Sequence, residues 1–250
     1  MKTTIQALAA AITLIASSAA HAQEAVQWRV ADGGNGHWYQ YEAALLDWPV
    51  AQQRAAGRGA HLVTITSQAE YQFIRAALGL ESAYFWLGGL QQPNSCEPGC
   101  GWRWITDEPW DYVNWNPGEP SNSGGNENWL ECYPSGGWND RYPGLMPSLV
   151  EWSADCNGDG IVDYGQILDG TFPDANSNGV PDCCDGGESC TPCTGDVASD
   201  GMVDGVDLAA VLSQWGTQGS GTFNADIDGS GLVDGGDLAL VLGGWGPCPQ

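Results

Sequence analysis

GEPSNSGGNE at residues 118–127, followed by WND at 138–140, is the most informative sequence in the N-terminal half of this chain. It gathers carboxylate and amide side chains into a loop with almost no apolar residue, and such a loop cannot hold its shape through a core of its own. It can hold a shape around Ca²⁺, which takes about six to eight oxygens from carboxylates, amides, carbonyls and water. The loop composition therefore predicts a calcium site.

Helix and strand signals surround this loop in an order typical of an α+β domain. Trp48-Pro49 opens a helical stretch toward Gly57, since Pro is tolerated in a first helical turn. A capping box of Ser67 and Glu70 starts a second helix, which Gly79 stops. Strand-like runs lie at 26–30, 61–65, 85–89 and 149–152. Two helices followed by a loop-rich β region predict an α+β fold with one core.

Three motifs resemble the C-type lectin-like fold over about residues 26–152: WLGG at 86–89, WNPGEP at 115–120 and GWND at 137–140. Sugar-binding members of that family carry an acid eight residues after the Glu of a Glu-Pro-Asn motif, and Trp-Asn-Asp twelve residues later. Glu119, Glu127 and Asn139 match both intervals, although Ser121 stands where the family has Asn. The resemblance implies calcium ligands at Glu119, Glu127, Asn139 and Asp140, and carbohydrate contacts at Glu119, Ser121, Asn122, Glu127, Asn139 and Asp140.

The resemblance implies a glycan ligand with mannose- or glucose-like hydroxyls. A competing interpretation is a structural or interaction protein whose lectin-like domain binds protein or nothing, with a solvated, metal-free loop. Trp110, Trp115 and Trp129 flank the loop and are candidates for stacking on a sugar, whereas Trp138 is expected in the core. The carboxylate spacing matches metal loops rather than an acid/base pair in a cleft, so no enzymatic activity is expected.

Residues 1–22 read as an export signal. Lys2 supplies the positive end, an apolar run covers 5–20, and Ala20-His21-Ala22 forms the cleavage site. The run is too short for a membrane span, so we expect a secreted, extracellular or surface-associated protein without membrane insertion. The nine cysteines all follow the signal, where disulfides persist. Their odd number leaves at least one unpaired, and Cys132 is the expected free thiol, with Cys96 and Cys100 closing a small loop.

The charge is concentrated in the second half of the chain. Residues 153–250 contain sixteen acids and no Lys or Arg. Such a segment repels nucleic acid, which excludes polyanion binding as its function. It is either a solvated tail or a set of cation loops, and we expect it to become compact only when divalent ions neutralise it.

A repeat favours the cation loops. Eleven of seventeen positions are identical between residues 200–216 and 230–246, and each copy is an acidic loop followed by a short apolar helix. Counting from Asp226 and from Asp196 fills the positions of an EF-hand loop, except that Ala198 offers no oxygen. The predicted ligands are Asp196, Asp200, Asp204 and Asp207 in the first copy, and Asp226, Asp228, Ser230, Asp234 and Asp237 in the second.

The two copies resemble a type I dockerin over about residues 195–247. That resemblance implies calcium as the cofactor and a cohesin-type protein as a partner, with Cys193 and Cys248 clasping the ends. The paired helices are expected to bury the following residues against each other: Leu208, Val211, Leu212 and Trp215 against Leu238, Val241, Leu242 and Trp245.

Two shorter acidic loops between the two regions resemble thrombospondin type 3 calcium repeats. Their predicted ligands are Asp155, Asn157, Asp159, Asp163, Asp174, Asn176, Asn178 and Asp182. The predicted organisation is a signal peptide at 1–22, a C-type lectin-like α+β domain at 23–152, an acidic Cys-containing linker at 153–192 and a small α-helical, dockerin-like module at 193–250.

Overall fold

The computed structural model describes residues 24–187, 190, 193–198, 200–219 and 224–248. The predicted signal peptide at 1–22 lies outside these described residues. Among the helices of the described ranges, none combines the length and the apolar character that a membrane crossing requires.

The N-terminal domain is a mixed sheet with two helices. Its spatial strand order is β1-β2-β8-β4-β6-β7, with β3 paired to β8 and β5 paired to β4. All pairs are antiparallel except β4 with β8. The strands are β1 Val26–Gln27, β2 Trp38–Leu46, β3 His61–Leu62, β4 Phe85–Gln91, β5 Trp102–Trp104, β6 Trp129–Cys132, β7 Trp138–Arg141 and β8 Met146–Trp152, and the helices are α1 Trp48–Ala56 and α2 Gln68–Ala77.

Both predicted helices of this domain form. The Asp47 side chain caps α1 by accepting from Val50 N, with Pro49 in the first turn. Ser67 caps α2 by accepting from Glu70 N, as the capping box predicts. The Glu70 carboxylate, however, does not return to the cap residue: it accepts from Thr66 N at 2.7 Å and from the Tyr39 hydroxyl at 2.7 Å. Glu70 therefore ties α2 to β2 inside the domain.

The strand predictions need correction at three places. Strand β1 covers only Val26–Gln27 of the predicted 26–30, because a short 3-10 helix begins at Val30. Strand β3 is only two residues long: Val63 N still donates to Leu149 O, but Thr64 N turns to the Glu151 carboxylate at 2.8 Å and ends the pairing. Strand β2 was not predicted, although it has nine residues. Its second half is rich in Ala and Leu, which favour helix, and pairing with the distant β8 overrides that preference.

The core of the domain is largely aromatic. Trp86, Trp104, Trp138 and Tyr39 are fully buried. The Trp104 and Trp138 rings meet edge to face with centroids 5.5 Å apart, a favourable arrangement for aromatic pairs. Burial of such large side chains supplies most of the apolar driving force of this domain. The prediction that Trp138 is a core residue is confirmed.

The acidic linker begins inside the packing of this domain. Helix α3, Asp163–Leu168, carries Tyr164, whose ring stacks on Trp152 with centroids 4.1 Å apart. Gly165 packs closely on Trp38, because a Cβ there would lie 3.1 Å from Trp38 Nε1. Gly59 and Gly179 also meet backbone to backbone, since a Cβ on Gly59 would lie 2.4 Å from Gly179 O. Residues just after 152 thus extend the N-terminal core.

The C-terminal module consists of two loop–helix units. Helices α5 Gly205–Ser213 and α6 Gly235–Gly243 follow their acidic loops, and strands β9 Met202–Val203 and β10 Gly246–Pro247 pair beside them. A further short helix, α4 Asp182–Asp185, follows the second linker loop. The predicted disulfide between Cys193 and Cys248 is present. Cys96 bonds to Cys100, and Cys132 is free and buried, as predicted.

The predicted helix-to-helix packing of the module is only half correct. Val211 and Val241 are fully buried in a small core with Val203 and Val233. The residues predicted to join them but found 48% to 56% exposed are Leu212, Trp215, Leu242 and Trp245. Leu212 and Leu242 lie one position around the helix from the buried valines, on another face. Trp215 and Trp245 follow the last helical residue, so neither helix carries them into the core.

Candidate functional site

The polar loop of the N-terminal domain is anchored to strand β7. Trp138 N donates to Asn114 O at 2.7 Å, and Asn116 N donates to Trp138 O at 2.9 Å. These two bonds fix the start of the loop beside β7. Its end enters β6, whose residues Leu130 and Glu131 pair with Asp140 and Asn139. The strand pair therefore brings both ends of the loop and the Trp-Asn-Asp motif together.

Asp140 organises the middle of the loop. Its carboxylate is fully buried and accepts from Ser121 N at 2.8 Å and from Asn122 N at 2.7 Å. The Glu127 carboxylate accepts from Ser123 N at 2.5 Å and approaches the Ser121 hydroxyl at 3.4 Å. Two acids separated by the loop in sequence therefore hold the same turn.

Three carboxylates meet here without a compensating cation. Glu119, Glu127 and Asp140 make no ion pair with Arg, Lys or His within the described residues. Burial, together with a hydrogen bond and charge from Asp140 and the charge of Glu127, raises the pKa of Glu119 above 4.5, while a Ser121 hydrogen bond opposes the rise. Glu119 Oε2 is also buried without a hydrogen-bond partner. A divalent cation would offset the repulsion between the three carboxylates and would give Glu119 Oε2 a partner. The donor set therefore fits calcium.

Asn139 is positioned by a residue that the sequence analysis missed. Its Nδ2 donates to Glu131 Oε1 at 2.8 Å and to Asp140 O at 2.6 Å. Glu131 is fully buried and also pairs with Arg141, 3.2 Å away. Glu131 lies opposite Asn139 because of the β6–β7 register, which no spacing in the sequence indicates. Glu131 thus holds the Nδ2 end of the Asn139 amide, so that the Oδ1 end faces away from Glu131.

Ser121 and Asn122 differ in how free their side chains are. Asn122 Oδ1 already accepts from Glu127 N at 3.1 Å, so it stabilises the loop backbone. Ser121 is exposed and its hydroxyl faces the Glu127 carboxylate. Of the two alternatives for an assisting ligand, the geometry favours Ser121.

The Trp residues predicted as sugar platforms are held in packing contacts. Trp110 and Trp115 join the core cluster of Trp102, Trp104 and Trp138. Trp129 stacks on Trp48 with ring centroids 4.5 Å apart. All three are partly buried, because each ring packs against an aromatic neighbour. Their prediction as exposed platforms is therefore not supported by the structure.

The second C-terminal loop has the donor geometry of a cation site. Oxygens of Asp226, Asp228 and Asp237 lie within 4.8 Å of one another. Asp226 Oδ1 is buried and has no hydrogen-bond partner. Burial alone would raise the pKa of Asp237, but hydrogen bonds from backbone N–H groups outweigh it and hold that pKa below 3.8. Ser230 N donates to Asp228, and Asp234 caps α6.

The first C-terminal loop repeats this arrangement with fewer donors. Asp196 accepts from Gly201 N, and Asp200 accepts from Met202 N. Asp204 caps α5, and the buried Asp207 accepts from Ala198 N at 2.9 Å. Ala198 itself offers a backbone group where the second copy has a carboxylate, as the sequence indicates.

The two linker loops share the backbone geometry of the C-terminal loops. In all four, the acid at the first position accepts from the glycine N–H at the sixth position at 2.9 Å; these acids are Asp155, Asp174, Asp196 and Asp226. Asp163 accepts from Cys156 N, and Asp182 from Ala175 N. Asn157 donates to Asp159, while Asn176 and Asn178 donate to Asp185. The sequence analysis missed the twelfth positions, Gln166 and Asp185, although the same count identifies them.

Comparison with known proteins assigns two parts of the chain. Residues 45–143 match the family model of the lectin C-type domain, and residues 194–242 match that of the dockerin type I domain. Ladderlectin of Oncorhynchus mykiss is 32% identical over 118 residues, which cover 41% of this chain and 58% of that protein. Human C-type lectin domain family 10 member A is 33% identical over 111 residues, covering 42% of this chain and 32% of that protein.

A similar solved structure is the cow C-type carbohydrate-recognition domain of CD23, determined with GlcNAc2Man3 oligosaccharide. It is 26% identical, with a TM-score of 0.43, and covers 48% of this chain and 91% of that domain. The chain spans less than two thirds of the length of the curated relatives named above.

The predicted fold class is confirmed: a C-type lectin α+β fold followed by a small helical module consistent with a dockerin. The two matched ranges leave the linker loops between them, so their resemblance to thrombospondin type 3 repeats stays a prediction.

Proposed function

We propose that this protein is an exported, calcium-dependent carbohydrate-binding protein that carries a calcium-loaded docking module. Glu119, Glu127, Asn139 and Asp140 would hold the ion of the N-terminal domain, with Ser121 assisting. The observation that supports this most directly is the buried, unpartnered Glu119 oxygen, on which the charges of Asp140 and Glu127 act without a basic side chain to balance them. The match to the lectin C-type domain model over residues 45–143 agrees with a glycan ligand.

A calcium ion held by these residues would supply open coordination positions for two neighbouring sugar hydroxyls. The protein's own residues prepare that site. Asp140 holds the loop through the Ser121 and Asn122 amides, and Glu131 orients the Asn139 amide. The resemblance to Glu-Pro motifs suggests mannose- or glucose-like sugars as the first ligands to test.

A glycan array read with millimolar calcium and again with chelator tests this proposal. We expect chelator-reversible retention on at least one sugar, and its loss in Glu127→Gln. Glu97→Gln is a matched control, since Glu97 is an exposed acid in the Cys96–Cys100 loop and should retain binding. Retention by Glu127→Gln equal to that of the control would reject the site as described.

The C-terminal module would dock into a cohesin-type protein. Each unit presents a half-exposed Leu and Trp, Leu212 with Trp215 and Leu242 with Trp245, an apolar surface that a partner could cover. Asp226→Ala should remove calcium-induced helicity and partner capture together. Unchanged capture by that variant would refute docking through a calcium-loaded module.

The proposed organisation keeps the signal at 1–22, the lectin-like domain at 23–152, the linker at 153–192 and the module at 193–250. The linker loops would bind calcium as well. Disulfides from Cys156 to Cys184 and from Cys183 to Cys190 brace the linker and agree with an oxidising, extracellular location.

A further inference from the structure

We infer that the first linker loop, residues 155–166, is a calcium site completed by Gln166, and that an ion bound there fastens α3 to the N-terminal domain. This extends the calcium chemistry of the proposed function to a ligand and a coupling outside the sugar site and the docking module. Its evidence is independent of the Glu119 site.

The loop shares its central turn with the second C-terminal loop, although the amide at its second position donates to Asp163 and that of the C-terminal loop donates to Asp237. Gly160 and Gly231 occupy the sixth position with φ of 84° and 86°, a conformation that favours glycine. In each loop the sixth N–H donates to the first carboxylate at 2.9 Å. The count that places Asp237 at the twelfth position of one loop places Gln166 at the twelfth of the other. The equivalence identifies which side chain should face the ion.

Gln166 carries the second observation that a ligand site requires. Its side chain is only 4% exposed, although it belongs to a surface linker. Its Nε2 donates to Asp159 Oδ2 at 2.8 Å, so the amide reaches into the loop. Its Oε1 is buried and has no hydrogen-bond partner. A buried amide oxygen without a partner is unfavourable, and rotating the amide by half a turn would direct that oxygen at the loop carboxylates.

The other donors of this loop are all oxygens. They are the side chains of Asp155, Asn157, Asp159 and Asp163. Asp163 is 2% exposed; burial raises its pKa, as do the charges of Asp155 and Asp159, while Cys156 N opposes the rise. No Lys or Arg occurs from residue 153 onward, so no basic side chain of the linker can neutralise it. An all-oxygen set with three carboxylates selects a hard divalent cation, calcium in particular.

Asp163 also connects the loop to the N-terminal core. Its neighbour Val162 is 7% exposed within the cluster that contains Trp86 and Trp152. Its other neighbour, Tyr164, stacks on Trp152. Asp163 N donates to Ala154 O at 2.8 Å, closing the loop onto the residues that follow β8. Ordering the loop around an ion therefore also holds Val162 and Tyr164 in place against the domain.

Calcium titration calorimetry and tryptophan-detected thermal unfolding of the full mature chain test this inference. We compare Gln166→Leu, which removes the ligand at similar size, with Gln166→Glu, which offers a carboxylate. Gln53→Leu on the exposed face of α1 is the matched control. We expect Gln166→Leu to weaken one calcium site at least about tenfold and to reduce the calcium-induced rise of the unfolding midpoint. Gln166→Glu should tighten the same site.

The inference is overturned if both Gln166 variants bind calcium and respond to it like the control. If Gln166→Leu does not fold, the Gln166→Glu isotherm decides alone, and an unchanged or weaker site rejects the inference. Repeating the titrations in a Glu127→Gln background separates the two proposals. Unchanged sugar retention in Glu127→Gln together with an intact Gln166 effect rejects only the lectin site. Loss of sugar retention in Glu127→Gln without any Gln166 effect rejects only the linker site.

Discussion

Tyr164→Ala tests whether the N-terminal domain really continues beyond residue 152. The Tyr164 ring stacks on Trp152 at 4.1 Å and meets Trp38 edge-on at 5.7 Å. Each aromatic pair contributes about 0.5–1.5 kcal/mol beyond burial, so the two contribute about 1–3 kcal/mol. Truncating the half-buried ring adds about 1 kcal/mol of lost apolar contact. We therefore expect a loss of about 2–4 kcal/mol in the free energy of unfolding.

For a domain of roughly 150 residues, each kcal/mol lowers the unfolding midpoint by about 2–4 °C. The midpoint of the tryptophan fluorescence transition should thus fall by about 5–15 °C, measured in constant calcium. Tyr142→Ala is the control, because Tyr142 is 50% exposed and makes a single cation–π contact with Arg141. Its effect should stay below about 1 kcal/mol. A Tyr164→Ala midpoint equal to that of the control would show that α3 does not stabilise the domain.

Three further predictions concern titration and sulfur chemistry. Burial and two neighbouring acids raise the pKa of Glu119 above 4.5, so protons should compete with calcium at a higher pH than at an ordinary Glu. Calorimetry at about pH 7.5 and about pH 5 should therefore show weaker calcium binding at the lower pH, and a pH-independent affinity would contradict this. Cys132 is fully buried with a raised pKa, so a thiol reagent should label one equivalent only after denaturation, and rapid labelling of the native protein would contradict its burial. Replacing Cys193 and Cys248 by Ser opens a 55-residue loop and should cost the C-terminal helices about 4 kcal/mol in denaturant unfolding followed by circular dichroism; an unchanged midpoint would show that the clasp adds no stability.

Local signals predicted the elements whose causes are local. The α1 and α2 boundaries follow from Asp47 and Ser67, which cap their own helices. Strand β2 could not be predicted in this way, because its partner β8 lies about a hundred residues away and supplies the hydrogen bonds that its Ala- and Leu-rich half lacks. The exposed position of Trp215 was missed for a related reason. Its spacing fits a helix that in fact ends at Ser213.

The candidate site divides in the same way. Fixed intervals identified Glu119, Glu127 and Asn139 as members of one site, and in the structure Glu127 and Asp140 accept from successive backbone amides of the same turn. Glu131 was missed because its role depends on which strand faces β7, which no interval records. Gln166 and Asp185 were missed because the predicted linker loops end at their ninth positions, Asp163 and Asp182, and so stop before the twelfth.

The bond between Cys193 and Cys248 has a mechanical consequence. It joins the two ends of the C-terminal module as the structure describes it, and beside it Cys248 N donates to Gly201 O at 3.0 Å. A pulling force applied through the linker acts on Cys193, and the disulfide transmits it directly to Cys248 at the other end of the module. A pulling force therefore cannot unfold the module progressively from Cys193. An attachment that transmits such a force would have to displace both helices together.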